Sequence, residues 1–327
     1  MCASRRKLSR LFAALVACAG WSVVDASAQS YPVKPVRLVV GFTPGGVSSA
    51  IARLLAQKLA EPLGQQMIVE NRGGASGAIA YEMVAKSLAD GYTLLIIGAT
   101  AAVLPALRAN LPYDLERDLA PVSLVAIAPF VLVIHPSVPA HNVKELIALA
   151  RSQSGKLSYG TVGAGSPPHL MAELFKLMAK VDIVHVPYKG GTENAIANAS
   201  GQIEMSFLSI PSLLPLLGSG RVRPLAVSSI KRASFMSSLP TLDESGLRGY
   251  DYSNWNGVSG PAGMPKDLIA RLNAMIEKAV NTPDMKEALG RQGLEPQTST
   301  PEQFGAFIHD EVVKNARLIK LIGIKAE

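Results

Sequence analysis

Cysteine is nearly absent from the sequence, and its two cysteines lie close to the start. Cys2 and Cys18 both fall within the first 28 residues, and no other cysteine follows. The later chain therefore offers no disulfide, no thiol nucleophile and no metal site built from cysteine. Its fold must be stabilised by its own hydrophobic core.

Long apolar runs are also lacking beyond the first 28 residues. A transmembrane helix needs about 20 consecutive, mostly apolar residues, so the sequence predicts none there. The 32 basic residues outnumber the 25 acidic ones only mildly, and they are scattered along the chain. Nucleic-acid binding needs a concentrated basic patch, so the sequence predicts no nucleic-acid partner.

Enzyme signatures are missing as well. The sequence has no Gly-x-Ser-x-Gly elbow, no phosphate-binding Gly-x-x-x-x-Gly-Lys-Ser/Thr loop and no His-Glu-x-x-His motif. Its five histidines show no metal-ligand spacing. The sequence therefore predicts a protein that is not an enzyme and that uses no cofactor and no metal. The alternative is an enzyme acting on a carboxylic acid through Ser166 and His169, which lack an evident orienting carboxylate.

The first 28 residues have the three parts of a signal peptide in the correct order. Four basic residues lie within positions 5–10, an apolar run spans 11–24, and small residues at 26–28 supply a cleavage site. Cleavage there would leave Gln29 as the first residue of a periplasmic protein. Two alternatives stay open: a buried N-terminal helix, or a lipoprotein cleavage box that leaves Cys18 lipidated.

Short apolar runs alternate with amphipathic stretches after the signal segment. This pattern is typical of βα units and mainly parallel sheets. The first unit is a strand at Val36–Phe42, a break at Thr43–Gly46 and a helix from about Ser49. Ser48 or Ser49 is the expected N-cap of that helix.

The chain is expected to cross between two sheets twice. Pro129 interrupts the long extended stretch Val122–Ile134, which suits a chain leaving one sheet for another. After Tyr250 the pattern becomes helical, so the tail is expected to return and pack on the first lobe. The sequence therefore predicts an α/β protein with two Rossmann-like lobes, 29–129 plus 251–327 and 130–250, joined by a two-segment hinge. Ligand sites favour the cleft between two such lobes.

Four loops follow predicted strands, and each includes or adjoins residues suited to binding an anion. Where a helix begins, its first N–H groups and the positive end of its dipole attract negative charge. Ligands of open α/β sheets lie at the carboxyl ends of strands, where these loops fall. The residues predicted to bind the ligand are Phe42, Thr43, Pro44, Gly45, Gly46, Ser48, Ser49, Thr100, Gly165, Ser166, His169, Tyr188, Gly190 and Gly191.

Each loop alone also fits an ordinary tight turn with a serine cap. His169 fits either a ligand contact or a structural polar cap. The prediction rests on several amide-rich helix starts being divided between two lobes, because that arrangement suits a shared anion site.

A series of short motifs gives the chain a family resemblance. The motifs are Tyr31–Val40, Pro44–Gly46, Val69–Arg72, Asp90–Leu95, Leu111–Asp114, Ala120–Ser123, His185–Gly190 and Ser299–Phe304. In this order they resemble the solute receptors of tripartite tricarboxylate transporters, the Bug family. The resemblance covers the chain from about Tyr31 to its end.

The resemblance implies a periplasmic binding protein fold of type II that closes on a carboxylated solute. It implies that loop 42–49 holds a ligand carboxylate, partly through water, and that Leu208 in the segment 207–209 faces the ligand from the other lobe. The partners would be a small organic acid and the membrane permease subunits of the transporter, with the receptor itself a monomer. A sensor that binds the solute and signals to a membrane partner is an alternative.

Two positions depart from the pattern of the family. Members commonly have aspartate where this chain has Ser49, and often where it has Leu208. An aspartate in the cleft can pair with a ligand ammonium group. The chain is therefore expected to bind an acid without one, such as a di- or tricarboxylate or an aromatic acid.

Overall fold

The computed structural model describes residues 31–44 and 46–323. The predicted signal peptide, Cys18 and Gly45 lie outside the described residues. From Lys34 onward the chain forms one compact unit, and residues 31–33 belong to a separate one. Within the described ranges, no helix is both long and apolar enough to span a membrane.

Strands and helices alternate through most of the chain. The strands are β1 (Val36–Val40), β2 (Met67–Asn71), β3 (Thr93–Gly98), β4 (Leu119–Ala128), β5 (Val131–Ile134), β6 (Ser158–Thr161), β7 (Val184–Pro187), β8 (Met205–Leu208), β9 (Arg223–Val227), β10 (Asn254–Pro261) and β11 (Glu295–Pro296). The helices are α1 (Val47–Leu63), α2 (Ala78–Ala85), α3 (Ala99–Leu107), α4 (Val143–Ser152), α5 (Pro167–Ala179), α6 (Gly191–Ala199), α7 (Ile210–Leu213), α8 (Lys266–Val280), α9 (Pro283–Gly290) and α10 (Pro301–Ile322).

The first sheet has the strand order β2-β1-β3-β10-β4-β11. Strand β1 runs parallel to β2 and β3, whereas β10 runs antiparallel to both of its neighbours. Every residue of β3 is buried, as expected for a strand covered on both faces of its sheet. The carboxyl ends of β1, β2 and β3 therefore share one edge with the beginning of β10.

The second sheet has the order β7-β6-β8-β5-β9. Strand β6 is parallel to β7 and β8, and β5 is antiparallel to β8 and β9. The expectation of mainly parallel sheets thus holds for the βα units and is wrong for the short β11, which is antiparallel to β4, and for β5 and β10. These two strands enter from the other sheet instead of through a helical crossover, so they run in the opposite direction.

The two crossings between the sheets lie side by side. The first passes Pro129 between β4 and β5, and the second joins β9 to β10. Ser228 connects them: its Oγ accepts a hydrogen bond from the N–H of Phe130 at 2.9 Å, and its own N–H donates to the Phe130 carbonyl at 2.9 Å. The predicted boundaries between the two lobes fall between strands of the first sheet and strands of the second. The exact residues of these boundaries stay a prediction.

The C-terminal helix α10 packs against both lobes. Phe304 contacts Trp255 of β10 edge to face, with 5.7 Å between ring centroids, in the core beneath the first sheet. Leu318 and Ile319, near the end of α10, belong instead to the apolar cluster of the second lobe. The expectation that the tail packs on the first lobe is therefore only partly correct.

Candidate functional site

The loop after β1 leads directly into an uncapped helix start. Gly46, with extended backbone angles, is the N-cap of α1, and no side chain caps the helix. The prediction of Ser48 or Ser49 as the cap is wrong, because α1 begins at Val47 and both serines lie within its first turn. Phe42 is half-buried, and Thr43 and Pro44 are exposed.

Asn71, at the end of β2, holds this loop in place. Its Nδ2 donates to the Phe42 carbonyl at 2.8 Å and lies 3.2 Å from Ser49 Oγ. Ser49 is fully buried, so its hydroxyl supports the loop from the protein interior. In the sequence, Asn71 was noted as part of a family motif and not as a residue that holds the loop. Its position, an amide side chain at the end of a strand, was a signal for that role.

Ser48 reaches a residue that sequence reasoning missed. Its Oγ donates to Oδ1 of Asn256 at 2.7 Å. Asn256 lies near the beginning of β10 and pairs in register with Gly98, the last residue of β3. Thr100 is half-buried in the first turn of α3, whose N-cap is Gly98, again without a side-chain cap. The structure therefore brings the starts of α1 and α3 together around Asn256.

In the second lobe, the loop before α5 is held by its own side chains. Ser166 Oγ donates to the Gly163 carbonyl at 2.6 Å, and the Gly165 N–H donates to His169 Nδ1 at 3.0 Å. Ser166 is the N-cap of α5 but makes no side-chain cap bond. The hydroxyl and the imidazole are each engaged by the loop backbone rather than by each other, which argues against a Ser–His catalytic pair.

His169 belongs to a buried aromatic stack behind this loop. Its ring lies 4.3 Å from the ring of His185, which lies 5.1 Å from that of Tyr159. The Tyr159 hydroxyl donates to Glu173 at 2.5 Å, and Lys176 pairs with the same carboxylate. The bond to Gly165 makes His169 a residue that shapes the loop.

The pKa of His169 is lowered from its ordinary value of 6.5 to about 4, chiefly by burial and then by His185. Lys176 also lowers this pKa, whereas Glu173 raises it. The unfolded chain therefore binds a proton at this histidine at higher pH than the folded chain does. As a result, the contribution of His169 to stability falls as the pH drops from 6.5 to about 4.

We expect the free energy of unfolding of the wild type to fall by about 3 kcal/mol more than that of His169→Gln between pH 7 and pH 4. Urea unfolding at both pH values measures this difference. His141→Gln, at an exposed histidine, is the control and should follow the wild type. Equal losses in the wild type and His169→Gln would contradict the prediction.

The remaining predicted residues of the second lobe differ in their exposure. Tyr188 is half-buried, and its N–H donates to the Thr161 carbonyl at 2.9 Å. Gly190 is the N-cap of α6, without a side-chain cap, and Gly191 opens that helix. Leu208 is 1% exposed and packs in an apolar cluster of the second lobe. The Leu208 side chain is thus enclosed by apolar neighbours in this structure, and its contact with a ligand stays a prediction.

The helix starts of the described chain differ in whether they have a side-chain cap and an acidic residue in the first turn. Helices α1, α3 and α5 have neither a side-chain cap nor an acidic residue in the first turn. By contrast, α4 is capped by Asn142 and α10 by Thr300, and each has a glutamate in its first turn. Helix α6 also lacks a cap and has Glu193 in its first turn. The first N–H groups of α1, α3 and α5 thus keep their capacity to bind an anion.

The two lobes approach each other beside these loops. A Cβ atom placed on Gly165 would lie 2.8 Å from Leu107 Cδ1 at the end of α3, and one on Gly293 would contact Ile210. A cavity of about 370 Å³ lies at the hinge, between Pro129, Asp251 and Lys314 among others. None of the predicted ligand-binding residues that the structure describes lines it, so the cavity is separate from the described part of the candidate site.

Known proteins are similar to this chain along most of its length. Residues 51–324 match the family described as "Tripartite tricarboxylate transporter family receptor". Protein BugT of Bordetella pertussis is 35% identical over 323 residues, 97% of this chain and 99% of BugT. The solved structure of R. palustris Rpa4515 with adipate is 36% identical, with a TM-score of 0.77, and covers 91% of this chain and 100% of that chain. MatC from Rhodopseudomonas palustris with bound malate is 28% identical, with a TM-score of 0.71, and covers 88% and 100%.

Proposed function

The chain belongs to the tripartite tricarboxylate transporter receptor family, and we propose that it captures a small carboxylate between its two lobes and delivers it to a membrane permease. The predicted family and two-lobed fold are confirmed by the family match and by the structural neighbours. The family consists of solute-binding receptors, not enzymes. Export by the predicted signal peptide would place the receptor in the periplasm.

The observation that carries this proposal is the set of uncapped helix starts at the carboxyl ends of the strands. Charge-assisted hydrogen bonds contribute about 1.5–3 kcal/mol each, and micromolar affinity needs about 8 kcal/mol net. Five or six such bonds, less the cost of immobilising the ligand, could supply that affinity without a cationic side chain. The predicted ligand-binding residues include no lysine or arginine.

We propose that the ligand has no ammonium group. Ser49 and Leu208 are both buried and uncharged, so neither supplies a carboxylate that could pair with an amine. Two similar proteins were solved with adipate and with malate, which are acids of this kind.

Thermal shift against a panel of acids tests this proposal. The panel contains adipate, malate, glutarate, citrate and benzoate, and each acid is matched where possible by an amino acid of the same chain length. An acid present at 100 times its Kd should add about 2.7 kcal/mol to the free energy of unfolding. A shift caused by amino acids alone would contradict the absence of an ammonium group. No shift from any acid would contradict the carboxylate function.

A further inference from the structure

Asn256 holds a hydrogen-bond donor that the rest of the described chain does not satisfy. The residue is 1% exposed. Its Oδ1 accepts from Ser48 Oγ, whereas its Nδ2 is buried and has no partner among the described residues. A buried amide donor without a partner costs about 1–3 kcal/mol, so its retention calls for an explanation, and a bound ligand is one.

The surroundings of Asn256 place this donor at the proposed ligand site. Ser48 fixes one side of the amide at the start of α1. A Cβ atom placed on Gly98 would lie 3.3 Å from the same Oδ1 atom, so the amide group also lies against the start of α3. The amide group therefore lies beside the uncapped starts of both α1 and α3.

The strand pairing at Asn256 is also irregular. Asn256 pairs with Ala126 of β4, but the next residue, Gly257, pairs with Leu124, so the register shifts by one residue at this point. Such irregularities are frequent beside binding sites, where they change the direction of a side chain. This observation is independent of the unsatisfied amide nitrogen and points to the same residue.

We infer that Asn256 is a specificity-determining residue, whose Nδ2 donates to the ligand carboxylate that the first N–H groups of α1 and α3 also bind. This inference rests on the proposed function. Because the Ser48 hydroxyl donates to Oδ1, the amide keeps two N–H bonds that no described residue accepts. With only donors facing the carboxylate, the site rejects a cationic group at that position.

The test compares wild type with Asn256→Asp by isothermal titration calorimetry, using glutarate and glutamate, which differ by one ammonium group, together with adipate and malate. Asn256→Asp keeps the shape of the side chain but replaces the donor with a carboxylate. We expect its affinity for every dicarboxylate that the wild type binds to fall at least about a hundredfold, because one charge-assisted hydrogen bond is lost and repulsion is added. The ratio of glutamate to glutarate affinity should rise.

Two further variants separate ligand recognition from structural support. Ser48→Ala leaves the donor but releases its orientation, and we expect a loss of about tenfold. Asn281→Asp changes an exposed asparagine at the end of α8 whose Nδ2 donates to the Glu277 carbonyl, outside the predicted loops, and it should keep wild-type affinity. If Asn256 had a purely structural role, the Asn256→Asp variant would instead lose affinity for glutarate and for glutamate by the same factor.

The outcomes distinguish the two proposals. If the wild type binds dicarboxylates and Asn256→Asp binds them equally well, the inferred role of Asn256 is wrong. The proposed function is then unaffected. If Asn256→Asp does not fold, Asn256→Ala decides: we expect about a tenfold loss, and unchanged affinity would overturn the inference. If the wild type binds no acid of the thermal-shift panel, the proposed function fails and the inference fails with it.

Discussion

Gly41→Ala is expected to reduce the affinity for a dicarboxylate about a hundredfold, which is the loss of one to two charge-assisted hydrogen bonds. A Cβ atom on Gly41 would lie 2.9 Å from Gly77 Cα and 3.3 Å from both the Gly77 carbonyl and Tyr81 Cε1. Backbone atoms cannot yield as a flexible side chain does. The turns after β1 and β2 must therefore separate, and the N–H groups at the start of α1 move with them.

Calorimetric titration of Gly41→Ala with an acid that the wild type binds measures this loss. Gly290→Ala, at the end of α9 and outside the predicted loops, is the control, because its Cβ atom would meet nothing within 4 Å. We expect the control to bind within about threefold of the wild type, since it loses no hydrogen bond. Wild-type affinity in Gly41→Ala would show that the loop position does not govern binding.

Gly257→Ala is expected to lower the free energy of unfolding by about 3 kcal/mol or more, at the upper end of overpacking effects. Its Cβ atom would lie 2.7 Å from the Ser123 carbonyl of β4 and would overlap the ring of Phe304. Phe304 is fully buried against Trp255, so neither neighbour has room to move. The strain falls at the centre of the first sheet, where β10 joins β3 to β4.

For a chain of this size, that loss should lower the melting temperature by roughly 5–10 °C. Differential scanning calorimetry without ligand measures it. The control is Gly290→Ala, the last residue of α9, where an added Cβ would meet open space. Alanine is the better helix former there, so we expect unchanged or slightly higher stability. A melting temperature of Gly257→Ala equal to that of the wild type would refute the close packing described above.

Local patterns in the sequence predicted much of the fold. The alternation of apolar and amphipathic stretches indicated the βα units, because burial on one face repeats with the period of the element. Pro129 marked the first crossing between the sheets. The directions of β5 and β10 were missed, because periodicity records which residues are buried but not which way a strand runs.

The candidate site was only partly accessible to the same reasoning. Glycines and small residues after strands predicted the loops, since they permit close approach and helix initiation. Their side-chain partners were not predicted: Ser48 and Asn256 are 208 positions apart. The hydrogen-bond partner of His169 was not predicted either, because its bond to the Gly165 N–H depends on how the loop folds back.

Local composition and short motifs were sufficient to predict the family, the two-lobed α/β class and the positions of the amide-rich turns. The meeting of the starts of α1 and α3 at Asn256 and the burial of Leu208 became evident from the folded chain alone. The physical reason is strand register: the pairing of β10 with β3 sets Asn256 beside Gly98, and no local preference of either segment specifies that pairing.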